Sequence, residues 1–264
     1  MAKKHLGQHF LSDPRILGRI ADALGAVPGD PVLEIGPGRG ALTAVLLARG
    51  YAVTAIERDR DLVPVLRAAH PALHLIEADA LDVDWVAAAG AGEAGRWWII
   101  GNIPYNITSP LIDGALAARP APAAIVFLVQ KEVALRLSAE PASSDYGALT
   151  VGVRAAAEVE RLFSVPAGAF HPPPKVDSAV IRLVPRRREP GFDAAGFRRF
   201  VVGLFGARRK QLARGLRTVL DWSPAAAGGA LERAGIEPAR RPETLSVGEF
   251  ERLFAVVDGE RGAG

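Results

Sequence analysis

Along the first half of the chain, short apolar runs alternate with helical patterns, and each run ends on a polar or glycine-rich site. Pro31-Val32-Leu33-Glu34-Ile35 reads as a buried strand running into Gly36-Pro37-Gly38-Arg39-Gly40, and residues 52–56 as a second strand ending at Glu57. Residues 73–78 form a third candidate, ending at Asp79, and Trp97-Trp98-Ile99-Ile100 a fourth, ending at Asn102. Helices are predicted over 41–49, from Asp61, over 108–118 and from Lys131, the last after a strand at 123–129. Upstream, Ser12-Asp13-Pro14 offers a cap and a first-turn proline to a helix whose Ile16, Leu17, Ile20 and Leu24 recur at helical spacing. Such alternation predicts a parallel sheet covered on both faces, with right-handed crossovers and ligands beyond the carboxyl ends of the strands. All four polar sites fall at such ends.

After about residue 139 the pattern changes. Residues 146–157 read as a helix, and 159–165 with 179–184 as a closing antiparallel pair. Between them Phe170-His171-Pro172-Pro173-Pro174-Lys175 is a stiff, extended loop. Residues 186–190 are charged and read as a linker. Helical spacing governs 192–257, where Phe197, Phe200, Val201, Leu204 and Phe205 make an apolar stripe and the interleaved arginines face outward. The expected fold class is α/β, with a Rossmann-like domain over 1–186 and a small all-helical domain over 187–264.

Composition narrows the class. Apolar residues make up 49% of the 264, enough for a core without cross-links, and the chain has no cysteine. Disulfides and thiolate metal sites are thereby excluded, and a reducing compartment is expected. No run approaches the ~20 apolar residues of a membrane helix. The basic start, Met1-Ala2-Lys3-Lys4-His5, leads into no signal-like apolar stretch. A cytoplasmic protein with no membrane partner is expected. The net charge of +3 hides an asymmetry: between Arg182 and Arg217 eleven Arg or Lys face only Glu189 and Asp193, giving +9 there and −6 elsewhere. Arg208, Arg209, Lys210 and Arg214 within it are candidate contacts to a polyanion.

The polar strand ends suggest chemistry. Gly36 and Gly38 open a nucleotide-binding turn, and Glu57, 21 residues after Gly36, can accept both hydroxyls of a ribose. These features alone suit a nicotinamide dehydrogenase equally well. The glycine spacing departs from the dinucleotide fingerprint, however, and Asp79 can accept from an adenine amine. That series is the arrangement of Rossmann-like methyltransferases that use S-adenosylmethionine. Asn102-Ile103-Pro104-Tyr105 would then lie beside the reactive methyl. The Asn102 side-chain oxygen and a carbonyl at Ile103 or Pro104 could hold an exocyclic amine, Pro104 would stiffen the turn, and Tyr105 would stack on the base. His70 and His74 stand four apart, but Pro71 interrupts them, and no metal is expected.

The chain resembles the small-subunit ribosomal RNA adenine N6,N6-dimethyltransferases over nearly its whole length. The likeness rests on Leu6-Gly7-Gln8-His9-Phe10-Leu11, Glu34-Ile35-Gly36-Pro37-Gly38, Gly101-Asn102-Ile103-Pro104-Tyr105-Asn106 and Gln130-Lys131-Glu132-Val133. Tyr146-Gly147 and Pro172-Pro173-Pro174-Lys175-Val176-Asp177-Ser178-Ala179-Val180 extend it. The resemblance implies dimethylation of two adjacent adenosines in the 3′-terminal hairpin loop of 16S rRNA, within a small-subunit precursor, by a monomer with a role in subunit assembly. It implies cofactor contacts at His9, Leu11, Gly36, Gly38, Glu57, Asp79 and Asn102. It also implies a target adenine sandwiched by Tyr105 and Phe170, its amine oriented by Asn102. His9 stands where many members have Asn, and Ile103 where Leu is commoner. Two alternatives stay open: a macrolide-resistance enzyme methylating a large-subunit adenosine, and a non-catalytic ribosome assembly factor.

Overall fold

In the computed structural model the described residues are 9–92, 95–187, 191–207 and 209–262. The chain divides into two compact units: Met1–Ala134 with Val159–Pro185, and Leu135–Glu158 with Arg186–Gly264. The second unit therefore takes in residues 135–158, which the sequence pattern grouped with the α/β part.

A seven-stranded sheet organises the first unit, in the order β4-β3-β2-β5-β6-β9-β7. Its strands are β2 (Pro31–Ile35), β3 (Ala52–Glu57), β4 (His74–Glu77), β5 (Trp98–Asn102), β6 (Ala124–Gln130), β7 (Ala157–Val165) and β9 (Ser178–Pro185). Strands β2 to β6 pair in parallel, and β9 runs antiparallel to β6 with Ser178 opposite Gln130. The helices between them are α2 (Ala41–Ala48), α3 (Val63–Ala69), α4 (Trp85–Ala88) and α5 (Thr108–Ala117). β6 leads into α6 (Lys131–Leu137).

The chain builds outward from β2 to β4, then returns to lay β5 on the other side of β2. A topological switch point thus lies between β2 and β5, where a doubly wound sheet leaves a crevice at its carboxyl edge. Val32, Leu33, Ile99, Ile100 and β6 residues Ile125 to Val129 are fully buried, the continuous apolar pattern of strands covered on both faces. Trp97 and Trp98 pack inside, and the Trp97 indole N–H donates to the Pro120 carbonyl at 3.0 Å.

The first helix, α1 (Pro14–Asp22), starts as its sequence predicts. The Asp13 carboxylate accepts from the Arg15 and Ile16 amides, and Pro14 fills the first turn, where its missing N–H costs nothing. Preceding it, β1 (Phe10–Leu11) pairs antiparallel with β8 (Phe170–His171), Phe10 opposite His171 and Leu11 opposite Phe170. This ladder carries the N-terminal segment to the carboxyl edge of the sheet.

The second unit is helical apart from the start of β7. It holds the end of α6, α7 (Ala148–Ala156), α8 (Ala194–Gly206), α9 (Leu212–Leu220), α10 (Pro224–Arg233) and α11 (Val247–Gly262). Its core contains Phe197, Phe200, Val201, Leu204, Phe250 and Phe254, joined by Val151 and Ala155 of α7. The buried Tyr146 hydroxyl donates to the Leu245 carbonyl at 2.6 Å. These contacts explain the allegiance of residues 135–158: α7 buries its apolar face against α8 and α11.

Candidate active site

The crevice at the switch point is a cleft of about 390 Å³, within the ~300–1,000 Å³ range of small-molecule sites. It is lined in order by β1, the turn after β2, and the ends of β3, β4 and β5. His9, Leu11, Gly36, Gly38, Glu57, Asp79, Asn102, Ile103, Pro104 and Tyr105 all line it. Phe170 does not: it packs beneath, in the core of the first unit, opposite Leu11 in the β1–β8 ladder.

Glu57 is buried, and both its oxygens are engaged: Oε2 accepts from the Gly38 amide at 2.9 Å and Oε1 from the Asp59 amide at 2.8 Å. Burial pushes its carboxyl pKa up, and the amide bonds work against that shift. The glycine turn needs its glycines for space as well as conformation. At Gly38, φ is +61° and a Cβ would stand 3.1 Å from the Phe10 ring.

Asp79 serves two local partners. Its Oδ1 accepts from the Leu81 amide at 3.1 Å, capping a 3-10 turn, and its Oδ2 meets Arg58 at 2.9 Å. The cap and the cleft-lining position thus coexist in one side chain. Glu34, inside β2, is fully buried and accepts from the Thr43 hydroxyl at 2.7 Å. Desolvation pushes its carboxyl up to about 7; the Thr43 bond opposes this and the nearby Glu57 charge adds to it. A carboxylate within an apolar strand was the sequence signal for it, although the spacing assigned it no role.

Three carboxylates therefore line the cleft, and the Gly38 amide is already taken by Glu57. This is a poor cradle for a pyrophosphate and a good one for a cation with ribose and adenine hydroxyls and amines to satisfy. This set of acceptors fits S-adenosylmethionine and weighs against a dinucleotide. Among the described residues, no group of three or more His, Cys, Asp or Glu side chains is placed to hold a metal.

At the other end of the cleft, Asn102 closes β5. Its Nδ2 donates to the His9 carbonyl at 2.8 Å, and since a carbonyl only accepts, this bond fixes which way the amide faces. Pro104 carbonyl accepts from the Ile107 amide at 3.2 Å and weakly from the Thr108 hydroxyl at 3.4 Å. Of the two backbone acceptors the sequence offers, Ile103 is therefore the less committed. Tyr105 is half-buried; its hydroxyl shares a 2.6 Å hydrogen bond with Ser178, and its ring stacks on His9 at 5.8 Å between centroids. The His9 Nδ1 donates to the Pro172 carbonyl at 2.8 Å. The side-chain bonds of His9 and Ser178 were not legible in the spacing.

In the second unit Arg209 and Arg214 are exposed, and Lys210 is half-buried with its Nζ donating to the Thr218 hydroxyl at 3.3 Å. Arg208 lies outside the described residues. No helix among the described residues is long and apolar enough to cross a membrane.

The profile of the "Ribosomal RNA adenine dimethylase" family matches residues 1–258. A "Ribosomal RNA small subunit methyltransferase A" of Xanthomonas campestris pv. campestris is 47% identical over 260 residues, 97% of this chain and 96% of the relative. The protein of that name from Anaeromyxobacter dehalogenans is 45% identical over 96% of this chain and 92% of its own length. Among solved structures, a dimethyladenosine transferase from Plasmodium falciparum superposes with a TM-score of 0.81 at 26% identity, covering 95% of this chain and 98% of that one. The 23S rRNA methyltransferase ErmE gives 0.70 at 31% identity, over 94% and 99%.

Proposed function

The chain belongs to the ribosomal RNA adenine dimethylase family, and from that membership we propose its reaction in full. It is an S-adenosylmethionine-dependent methyltransferase with a Rossmann-like fold. It dimethylates the N6 amines of two adjacent adenosines in the 3′-terminal hairpin loop of 16S rRNA, acting as a cytoplasmic monomer on a small-subunit precursor. The observation that carries this reading is one continuous cleft, acid-lined over the ends of β2 to β4 and opening onto the Asn102-Ile103-Pro104-Tyr105 turn.

When bound, S-adenosylmethionine supplies an electrophilic methyl on a sulfonium centre. Glu57 takes the ribose hydroxyls and Asp79 the adenine amine, while Gly36, Gly38, His9 and Leu11 shape the rest of the site. An adenine amine is a poor nucleophile because its lone pair is delocalised into the ring. In the first transfer the Asn102 Oδ1 and the Ile103 carbonyl each accept one of its N–H bonds, and in the second one of them accepts the single N–H that remains, which favours a pyramidal nitrogen with its lone pair aimed along the cleft. Pro104 holds the turn, and Tyr105 offers its ring to a base extruded from the RNA. Phe170, buried opposite Leu11 in the β1–β8 ladder, does not face the cleft and is not assigned the second face.

As the N–C bond forms the S–CH3 bond breaks, S-adenosylhomocysteine leaves as a neutral thioether, and the amine, acidic only once the methyl arrives, releases its proton to water, so no strong base is needed. Burial pushes the Tyr105 pKa up and the Ser178 bond opposes this, leaving a neutral phenol at physiological pH. The exposed Arg209 and Arg214, with Lys210 and Arg208, supply phosphate contacts. The ErmE likeness keeps a large-subunit adenosine as the competing substrate. Methyl transfer to unmethylated small and large subunits, with the modified nucleotides mapped, distinguishes the two.

A further inference from the structure

The orientation of Tyr105 is held from two sides, by Ser178, which does not line the cleft, and by His9, which does. Its hydroxyl shares the 2.6 Å hydrogen bond with Ser178, whose side chain is fully buried at the first position of β9. Ser178 itself is placed by the sheet: it stands opposite Gln130 in the β6–β9 ladder. Just before it, the Asp177 carbonyl accepts from the Lys131 amide at 3.0 Å, and its carboxylate accepts from the Ala167 amide at 3.1 Å. On the face of the ring lies His9, pinned by its own bond to Pro172. Tyr105 sits in a short 3-10 turn, whose backbone limits its rotamers, and the tether selects one attitude within that limit.

We propose that Ser178 is a positioning residue for methyl transfer, fixing the Tyr105 ring in the attitude that receives the target base. The inference rests on the adenine-methylation reading above. Ser178 does not line the cleft, so it acts through Tyr105 and not by direct contact with the donor. A tethered ring has already lost its rotational freedom before the base arrives, and the cost of ordering it no longer falls on binding. Removing either partner of the bond takes away the same tether and leaves the ring held by His9 alone.

The test is a double-mutant cycle on S178A and Y105F, assayed on unmethylated small subunits, with donor affinity measured by calorimetry. Each single variant should lower kcat/KM for RNA by about five- to tenfold, with donor Kd unchanged, and the double variant should be no slower than the worse single one. Ring order is read separately, without substrate, by 19F resonance from 3-fluorotyrosine placed at Tyr105. One sharp line is expected in the parent and a broadened or doubled line in S178A. Multiplying effects in the double variant, or S178A at the parent rate, overturns the proposal. So does an unchanged 19F line. If the parent transfers no methyl to any RNA, the functional reading fails, while the fluorine spectrum still reports on the tether.

Discussion

In the proposed mechanism Asn102 works by facing the right way, and its direction is set from 93 residues upstream by the His9 carbonyl. Asn102→Ala removes one acceptor for the reacting amine and leaves β5 intact. Turnover should fall by about 100-fold or more, with donor affinity and melting temperature near those of the parent. Near-normal turnover would contradict the mechanism. Glu34 gives a pH signature at the same scale. Its folded pKa is about 7 against an ordinary 4.5. Below pH 4.5 both the folded and unfolded chains carry the proton. As pH rises toward 7 the unfolded chain releases it and the folded one retains it, so stability falls, levelling off above 7 at a loss of about 3 kcal/mol. Glu34→Gln keeps an acceptor for Thr43 and removes the charge. Its stability relative to the parent should therefore climb between pH 4.5 and 7 in denaturant titrations; parallel curves at all pH would refute this.

At the scale of elements, β2 and β5 approach so closely that one position admits no side chain. A Cβ at Gly101 would lie 2.5 Å from the Ile35 carbonyl and 3.1 Å from the Ile103 side chain. Gly101→Ala must push β5 from β2, costing about 1–3 kcal/mol and displacing Asn102. Thermal unfolding should register the first and turnover the second, the latter falling at least tenfold; an unaltered enzyme would count against the packing argument. The strands and the polar residues at their ends were legible in the sequence because buried parallel strands write continuous apolar runs and loops interrupt them. The β1–β8 ladder was not, since two residues are too few to show a period. Nor were the bonds of His9 to Pro172 and Tyr105 to Ser178, whose partners lie 163 and 73 residues apart. A helix over 146–157 was visible, but nothing local says which core it joins.

For the whole molecule, the basic stretch from Arg182 to Arg217 balances an otherwise acidic chain, and the exposed Arg209 and Arg214 belong to the second unit. Reversing the charge of Arg208, Arg209 and Lys210 together should weaken subunit binding and flatten its dependence on salt, because fewer counterions are released. An unchanged slope in filter binding would move the RNA surface elsewhere. Donor cleft, Asn102-Ile103-Pro104-Tyr105 turn and exposed arginines suit methylation of an adenine in RNA, and family membership is what leads us to propose two adjacent adenosines of 16S rRNA as the substrate. The most direct test incubates the chain and labelled S-adenosylmethionine with small subunits lacking these methyl groups, then maps the label. The account requires four methyls per subunit, two on each of two adjacent adenosines in the 3′-terminal hairpin. Label on a 23S adenosine offered in parallel, or none on the small subunit, would contradict it.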